Sequence, residues 1–400
     1  MDITRLQASP VGHVVPLRGT DGRSGEAYDH FAFAPNPLGV EPNLSGEAWR
    51  AVSRAGHALG RLQQASRQIP VPSLLRRPTL RREAQSTSAL EGTFAPLEDV
   101  LAADVTEKKA RSAELIEVLN YIDCAEAAFG WLAEGRQLSV PMLRELHRAL
   151  VHGSAADTDD AGRIRHIQVA IGSPTANIED ARFIPMAPGQ ALEAATQDTI
   201  DWVNLRVPVD RDPVVAAAMA HYQFEALHPF NDGNGRLGRL LVVVQLIQDG
   251  ALSDPLLSVS PWLEARRTQY QDRLFAVSAD GDWDGWVKFF ASGLEASAID
   301  TAQRVDELLD VQADYARRLR DAGATGIVRD IADSLVGYPF VTISAVKERT
   351  GKTFQGVSTA VNRLVDLQIL RERTGRSHNR VFEAVDVMRV LVRPARTAKR

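Results

Sequence analysis

A chain of 400 residues with one cysteine, Cys124, can close no internal disulfide and build no cysteine-based zinc cluster, which suits a reducing compartment. Its opening stretch, MDITRLQASPVGHVVPLRGTDG, holds no apolar h-region. Nor does any run approach the roughly 18 apolar residues of a spanning helix, so the expectation is a cytoplasmic protein without a membrane partner. A P-loop is also lacking, because ahead of Gly351, Lys352 and Thr353 the position that needs glycine is Val346. With 44% hydrophobic residues the chain can form real cores, and its length suggests two or three domains of about 100 to 200 residues each.

Charge is uneven. Residues 325–400 carry 14 Lys and Arg against 7 Asp and Glu, a net of +7, and the remainder carries the other 32 against 44, a net of −12. The basic excess sits in one C-terminal module and points to an anionic partner, or to a solvated basic tail.

One stretch defines a site by itself: His228 to Leu240 reads HPFNDGNGRLGRL. Ahead of it, Asp212 is placed as an N-cap and Pro213 in the first helical position of a run of small and apolar residues, which Pro229 ends. Behind it, Arg236 to Gln248 is apolar on nearly all sides and stops at Asp249-Gly250, a second buried helix. The residues between predict a loop aimed at a helix N-terminus. Gly233 and Gly235 let backbone N–H groups approach an anion, and the helix adds the positive end of its dipole. Arg236 and Arg239 offer guanidinium forks that match phosphate oxygens. Asp232 is the hard ligand that Mg²⁺ takes beside waters and substrate phosphates. His228 is the nearby group able to accept a proton near neutral pH.

The pattern HPFx[DE]GNGRxxR is met at His228, Pro229, Phe230, Asp232, Gly233, Asn234, Gly235, Arg236 and Arg239, and on these residues the chain resembles the Fic family. The resemblance implies a protein adenylyltransferase that moves AMP from ATP to a Ser, Thr or Tyr hydroxyl of a target protein. It implies His228 as the catalytic base, Asp232 as the Mg²⁺ ligand, and Gly233, Asn234, Gly235, Arg236, Leu237, Gly238 and Arg239 as the ATP phosphate site. Thr87, Glu91 and Gly92 fit [ST]xxxE[GN], which resembles the family's inhibitory helix, here expected at about 80–92. In that likeness Glu91 pairs with Arg239 and blocks productive ATP binding, and it could also orient a water for the reverse removal of AMP. Trp262, Arg266 and Gln269 depart from the Tyr, Asn and Tyr of the family's pattern near the nucleotide base.

Taken in order, residues 1–43 read as an extended arm that packs locally, and helical periodicity begins at Ser45 and breaks at Pro70 and Pro72. Residues 111–134 and 139–151 are amphipathic helices, in which His147, like His221 further on, reads as packing. Residues 162–186 give the clearest β signal, with Ile167, Val169 and Ile171 alternating ahead of a Gly-Ser-Pro turn and Phe183-Ile184 returning. That reads as a hairpin; the family likeness makes it a flap that docks the target peptide by strand pairing. Residues 325–391 read helix, helix, helix, hairpin, the pattern of a winged helix with Phe354 to Leu367 as recognition-type helix and Arg371 to Phe382 as wing.

The expectation is therefore a mainly α protein: an N-terminal arm and helical region over 1–110, an all-helical catalytic core with a small hairpin flap over 111–320, and a winged-helix α+β domain over 325–400. Its partners would be ATP, a target protein, duplex DNA at the C-terminal domain, and a second copy in a homodimer. The alternatives are a nucleotide-sensing DNA-binding regulator and an enzyme that removes AMP.

Overall fold

The computed structural model describes residues 1–20, 25, 27–67, 72–172, 178–205, 211–375 and 379–394. The chain opens with α1 (Ile3–Gln7), β1 (Gly12–Thr20) and β2 (Ala27–Pro35), then runs through α2 (Gly46–Arg67), α3 (Pro72–Leu90), α4 (Leu97–Ala102), α5 (Ala113–Ala133) and α6 (Val140–Val151). After an irregular stretch come α7 (Gln190–Asn204), α8 (Pro213–Leu227), α9 (Asn234–Gln248), α10 (Ser260–Glu264), α11 (Arg267–Asp280) and the long α12 (Trp283–Asp321). The last elements are α13 (Ile327–Ser334), β3 (Phe340–Val341), α14 (Ile343–Thr350), α15 (Phe354–Asp366), β4 (Leu370–Glu372), β5 (Phe382–Ala384) and α16 (Val385–Leu391). The expected mainly helical architecture is what forms.

Backbone proximity divides the chain into two compact units. One comprises Met1–Gly60, Asn120–Pro255 and Trp262–Ala296; the other comprises Arg61–Leu119, Leu256–Pro261 and Ser297–Arg400. The first unit is centred on α8 and α9. Asp212 caps α8 by accepting from the N–H groups of Val214 and Val215, and Pro213 follows at N1, as the sequence predicts. A run of alanines on α8 lets neighbours come close, and the fully buried Trp286 donates its indole N–H to the Ala218 carbonyl at 2.8 Å. Gly238 of α9 faces α8 so tightly that a Cβ there would stand 2.6 Å from Glu225 Oε1 and 3.1 Å from Phe224. That close approach is why glycine occupies a helix interior, where it otherwise costs about 1 kcal/mol.

In the second unit, α13 to α16 with the three-stranded sheet β3-β5-β4 follow the predicted order of helices and hairpin, with β3 and α16 in addition. Thr342 and Thr353 cap α14 and α15, and Gly351, in the left-handed region, ends α14. This module shares a core with α3 and α4. Tyr338 lies between two guanidinium groups, Arg77 at 4.4 Å and Arg349 at 4.1 Å from its ring centre. Gly337 packs against Leu74, whose carbonyl would be 2.9 Å from an added Cβ. α3 runs through Pro78, although Pro78, lacking an N–H, cannot donate to the carbonyl of Leu74 one turn earlier. Arg373 pairs with Glu98, and Asp300 is gripped by both Arg82 and Arg304.

Two predictions about β structure are corrected. Residues 1–43 hold a nine-pair antiparallel ribbon, Gly12↔Pro35 to Thr20↔Ala27, where an extended arm is expected. Pro16 lies within it, tolerated because both strands of a two-stranded ribbon are edges. Conversely, the described part of 162–186 forms no ladder, only a single bridge between Ile171 and Phe183. Residues 173–177, the expected turn, lie outside the described residues.

Candidate functional site

The site is the turn from α8 into α9. His228 closes α8 in the left-handed region, φ 52° and ψ 61°, with its N–H donating to the Phe224 carbonyl. For a residue other than glycine that conformation costs about 1 to 2 kcal/mol and persists only where neighbours fix it. The loop is then closed by Asn234, whose Oδ1 accepts from the Phe230 N–H at 2.9 Å and whose Nδ2 donates to the Phe230 carbonyl at 2.7 Å. Asn234 is buried, so both bonds are shielded from water. Its side chain acts on the loop, and only its backbone faces the position expected for phosphate.

Gly233 precedes α9 with φ 73°, in the left-handed region, and no side chain caps the helix. Helix geometry leaves the N–H groups of Asn234, Gly235 and Arg236 without an intrahelical acceptor, which is the arrangement that receives an anion. A Cβ on Gly233 would stand 3.0 Å from Leu150. Arg236 and Arg239 are both buried in the first turns of α9, and Arg236 donates to Asp232 Oδ1 at 3.2 Å. Asp232 Oδ1 also accepts from the Gly233 N–H, while its side chain stays 57% exposed. A half-exposed carboxylate beside an anion cradle fits a cation that keeps most of its waters. Among the described residues no cluster of three or more His, Cys, Asp or Glu could hold a metal alone.

Two histidines brace the site. His147 is stacked on Phe230 with ring centres 4.0 Å apart; its Nδ1 accepts from the Gly162 N–H at 2.9 Å, so its Nε2–H donates to the Asp232 carbonyl at 3.0 Å. Burial pushes it down to about 4, so it is neutral near pH 7. His221, fully buried and pushed down by burial to about 3, meets the Gly238 carbonyl with Nδ1 and the Tyr270 hydroxyl with Nε2. Both read as packing in the sequence. His147 in fact holds the backbone of the loop, and no sequence signal distinguishes that role from ordinary burial.

Arg165 was not singled out from the sequence. Its side chain is 1% exposed and donates only to backbone carbonyls: Nε to His228 at 2.8 Å, Nη1 to Ile167 at 3.1 Å, and Nη2 to Leu227 at 3.3 Å and to Met186. Its backbone N–H donates to the Pro229 carbonyl at 2.9 Å. In the described part of 162–186 this side chain works against a ladder, since the carbonyls at 167 and 186 point at its guanidinium and Pro185 brings no N–H. Gln168 adds a further such bond, to the Pro185 carbonyl at 3.0 Å. In the sequence it is an arginine directly after Ile164 and ahead of the alternating residues, which carries no mark of that role.

Other predicted residues fall as follows. Leu237 is buried in α9, and Ile167 is 49% exposed while Val169 and Ile171 are half-buried. Thr87, Glu91 and Gly92 lie in the second unit at the end of α3: Thr87 buried, Glu91 exposed one residue past the helix, and Gly92 at φ 95°. At the departures near the expected base position, the Arg266 guanidinium stacks 4.3 Å from the Trp262 ring, Gly293 leaves room for that ring, and Gln269 is exposed. No helix among the described residues is long and apolar enough to cross a membrane.

Comparison with known proteins falls on the same residues. The Fic/DOC family N-terminal model matches residues 49–130, and the Fic/DOC family model matches residues 137–246. Protein adenylyltransferase fic-1 of Caenorhabditis briggsae is 32% identical over 179 residues, which is 45% of this chain and 31% of that protein. Protein adenylyltransferase Fic of Drosophila willistoni is 27% identical over 195 residues, 47% of this chain and 35% of that protein. The chain thus spans about a third of the length of these curated relatives. A crystal structure of a Fic family protein from Desulfovibrio desulfuricans G20 superposes with TM-score 0.57 at 22% identity, covering 87% of this chain and 98% of that one, a likeness of fold. The signature, the loop it builds and the two family models fall on consecutive stretches, so residues 49–130 and 137–246 are similar to the Fic/DOC family.

Proposed function

We propose that the protein is an adenylyltransferase that moves AMP from ATP to a hydroxyl group of a target protein. The observation that carries this reading is the pairing, within one turn, of a histidine at the end of α8 with an uncapped N-terminus at the start of α9. His228 takes the proton of the incoming hydroxyl; its oxygen forms a bond to the α-phosphorus; the bond from that phosphorus to the bridging oxygen breaks and pyrophosphate leaves. The N–H groups at the start of α9, with Arg236 and Arg239, hold the phosphates and offset the charge that develops. Asp232 is the residue that would hold Mg²⁺, which when bound neutralises phosphate charge. Residues 166–186 are the docking place for the target segment. Among the described residues a single bridge, Ile171 to Phe183, stands in place of a preformed ladder, and in this reading an incoming strand would pair beside it, along Ile167, Val169 and Ile171.

Glu91 is the brake in this reading. Labelled ATP with Mg²⁺ tests the whole of it: Glu91→Ala should raise label on protein by about tenfold, the scale of one charge-assisted contact. His228→Ala in the same background should lower it by about a thousandfold with ATP binding retained. Saturable ATP binding with no label in any form would instead support a nucleotide sensor, and loss of AMP from a modified target would support the reverse reaction.

The C-terminal module favours a second role. Its order α13, β3, α14, α15, β4, β5 with sheet order β3-β5-β4 supports the winged-helix reading, and its net charge is +7 over 325–400. Duplex DNA is the partner such a module would take. Of the arginines on the recognition-type helix and the wing, Arg363 donates to the Ala322 carbonyl, Arg371 and Arg373 pair with Glu383, Arg380 stacks on Phe382, and Arg376 lies outside the described residues. Those partners weaken the DNA reading, and a salt-dependent duplex titration of the full chain decides it.

A further inference from the structure

Resting on the transferase reading, we infer that Arg165 is a positioning residue for His228: it grips three successive carbonyls, 227, 228 and 229, and so fixes where the imidazole stands relative to the docking segment. The contacts are those of a saddle. Nη2 takes the Leu227 carbonyl, Nε the His228 carbonyl, and the backbone N–H the Pro229 carbonyl. The first two belong to the peptide planes on either side of His228, whose relative orientation is its φ and ψ, and His228 is the strained residue of the turn. A planar fork with five donors can hold several carbonyls at fixed angles, which a lysine cannot do.

The charge of Arg165 makes the arrangement specific. It is almost fully buried, and among the described residues it has no ion-pair partner. Carbonyl dipoles, including the last ones of α8 at the negative end of the helix, are what solvate it. Burial draws its acidity toward the physiological range, to about 10, yet leaves it charged at pH 7. An uncompensated buried guanidinium is expensive to retain for packing alone.

The same guanidinium also takes the carbonyls of Ile167 and Met186, one on each side of the docking segment. Arg165 therefore sets two things with one rigid group: the place of the base and the start and end of the segment on which a target strand would pair. The distance from a docked hydroxyl to the imidazole becomes a property of the Arg165 fork. The phosphate cradle, built on the other side of the turn by α9, does not depend on it.

The test is Arg165→Lys in the Glu91→Ala background, with α-labelled ATP and Mg²⁺. The single-turnover rate of label transfer at saturating ATP should fall about 30-fold, within the range for a misplaced reacting group, while half-saturating ATP changes by less than about twofold. In Arg165→Ala, added guanidinium ion should restore part of the rate where the same concentration of sodium chloride does not. A lysine variant that keeps its rate, or one that loses rate and ATP affinity together, overturns the inference. If the Glu91→Ala parent carries no label, the transferase reading fails separately. Arg165 is then judged by NMR of the ligand-free protein, as it is if the lysine variant does not fold. Its Nε–H should exchange at least about tenfold more slowly than that of an exposed arginine, as a hydrogen-bonded buried donor does. Exchange as fast as an exposed arginine's overturns the inference.

Discussion

The turn from α8 into α9 and the segment beside it are built on opposite plans. The turn from His228 to Asn234 is held largely from within: Asn234 ties Phe230 at both polar atoms, Asp232 ties Gly233, and the flanking helices fix its ends. The described part of residues 162–186 is held largely through groups distant in sequence: Arg165 reaches across to the His228 carbonyl, the Met1 amino group donates to the Ala181 carbonyl, and the Phe33 N–H of β2 donates to the Ile184 carbonyl. A turn that carries its own fastenings can be read from a dozen residues. A segment fastened by distant groups cannot, and its tolerance to mutation should differ accordingly.

The sharpest way to break this contrast is Asn234→Ala. It leaves the buried N–H and carbonyl of Phe230 without partners, for about 2 to 6 kcal/mol of stability, since each orphaned buried group costs about 1 to 3. Chemical denaturation measures the loss, and transfer should fall with it. A variant as stable as the parent would mean the turn is held by its helices alone. His147→Phe comes next, because it keeps the stack on Phe230 but strands the Gly162 N–H and the Asp232 carbonyl, at about 1 to 3 kcal/mol. It links the two regions, so hydrogen exchange should rise on both sides of it. Exchange changed in the turn only would confine its role to the turn.

Why one region was legible and the other not is visible in particular residues. The loop announces itself through glycines, a histidine and arginines whose chemistry is local. The β signal of Ile167, Val169 and Ile171 is equally plain as a pattern, yet strand pairing loses to the buried guanidinium of Arg165, which takes the carbonyls at 167 and 186. In the first 43 residues the reverse happens: Pro16 and the glycines argue against a strand, and the ribbon forms because Phe33, Ala32 and Ala34 are buried. The C-terminal module was readable because threonine caps and Gly351 mark its helices. Its two-residue β3 and its shared core with α3 were not, since nothing local encodes a contact such as Arg77 with Tyr338.

A gentler probe is pH. His147 and His221 titrate below their unfolded value of about 6.5 because burial disfavours their charged forms. Unfolding therefore takes up protons below that pH. The stability they confer is complete above about 6.5 and is lost as pH falls toward 4, with a slope of up to about 1.4 kcal/mol per pH unit for each histidine. Denaturation midpoints across pH 4 to 7 check it, and His147→Phe should reduce the slope by the share of one proton. The smallest effect is reserved for Ile167→Ala. At an exposed position it should move stability by less than about 0.5 kcal/mol and leave ATP binding alone, while slowing transfer to a separate target protein.

The discontinuity of the two units has a consequence for how the protein is made. The last stretch of the first unit ends at Ala296, whereas the second unit, which contains α3 and Glu91, draws on residues as late as α16 at Leu391. A ribosome adding about 5 to 20 residues each second needs about 5 to 20 s to cover that interval. Through it, every residue of the catalytic turn and of the segment beside it has been synthesised, but the partners of α3 and α4, Tyr338, Arg349 and Arg373 among them, have not all been made. On the proposed reading, the nascent chain acquires its chemistry before its restraint, and a chain stalled or cut in the last hundred residues is an unbraked enzyme instead of an inert fragment.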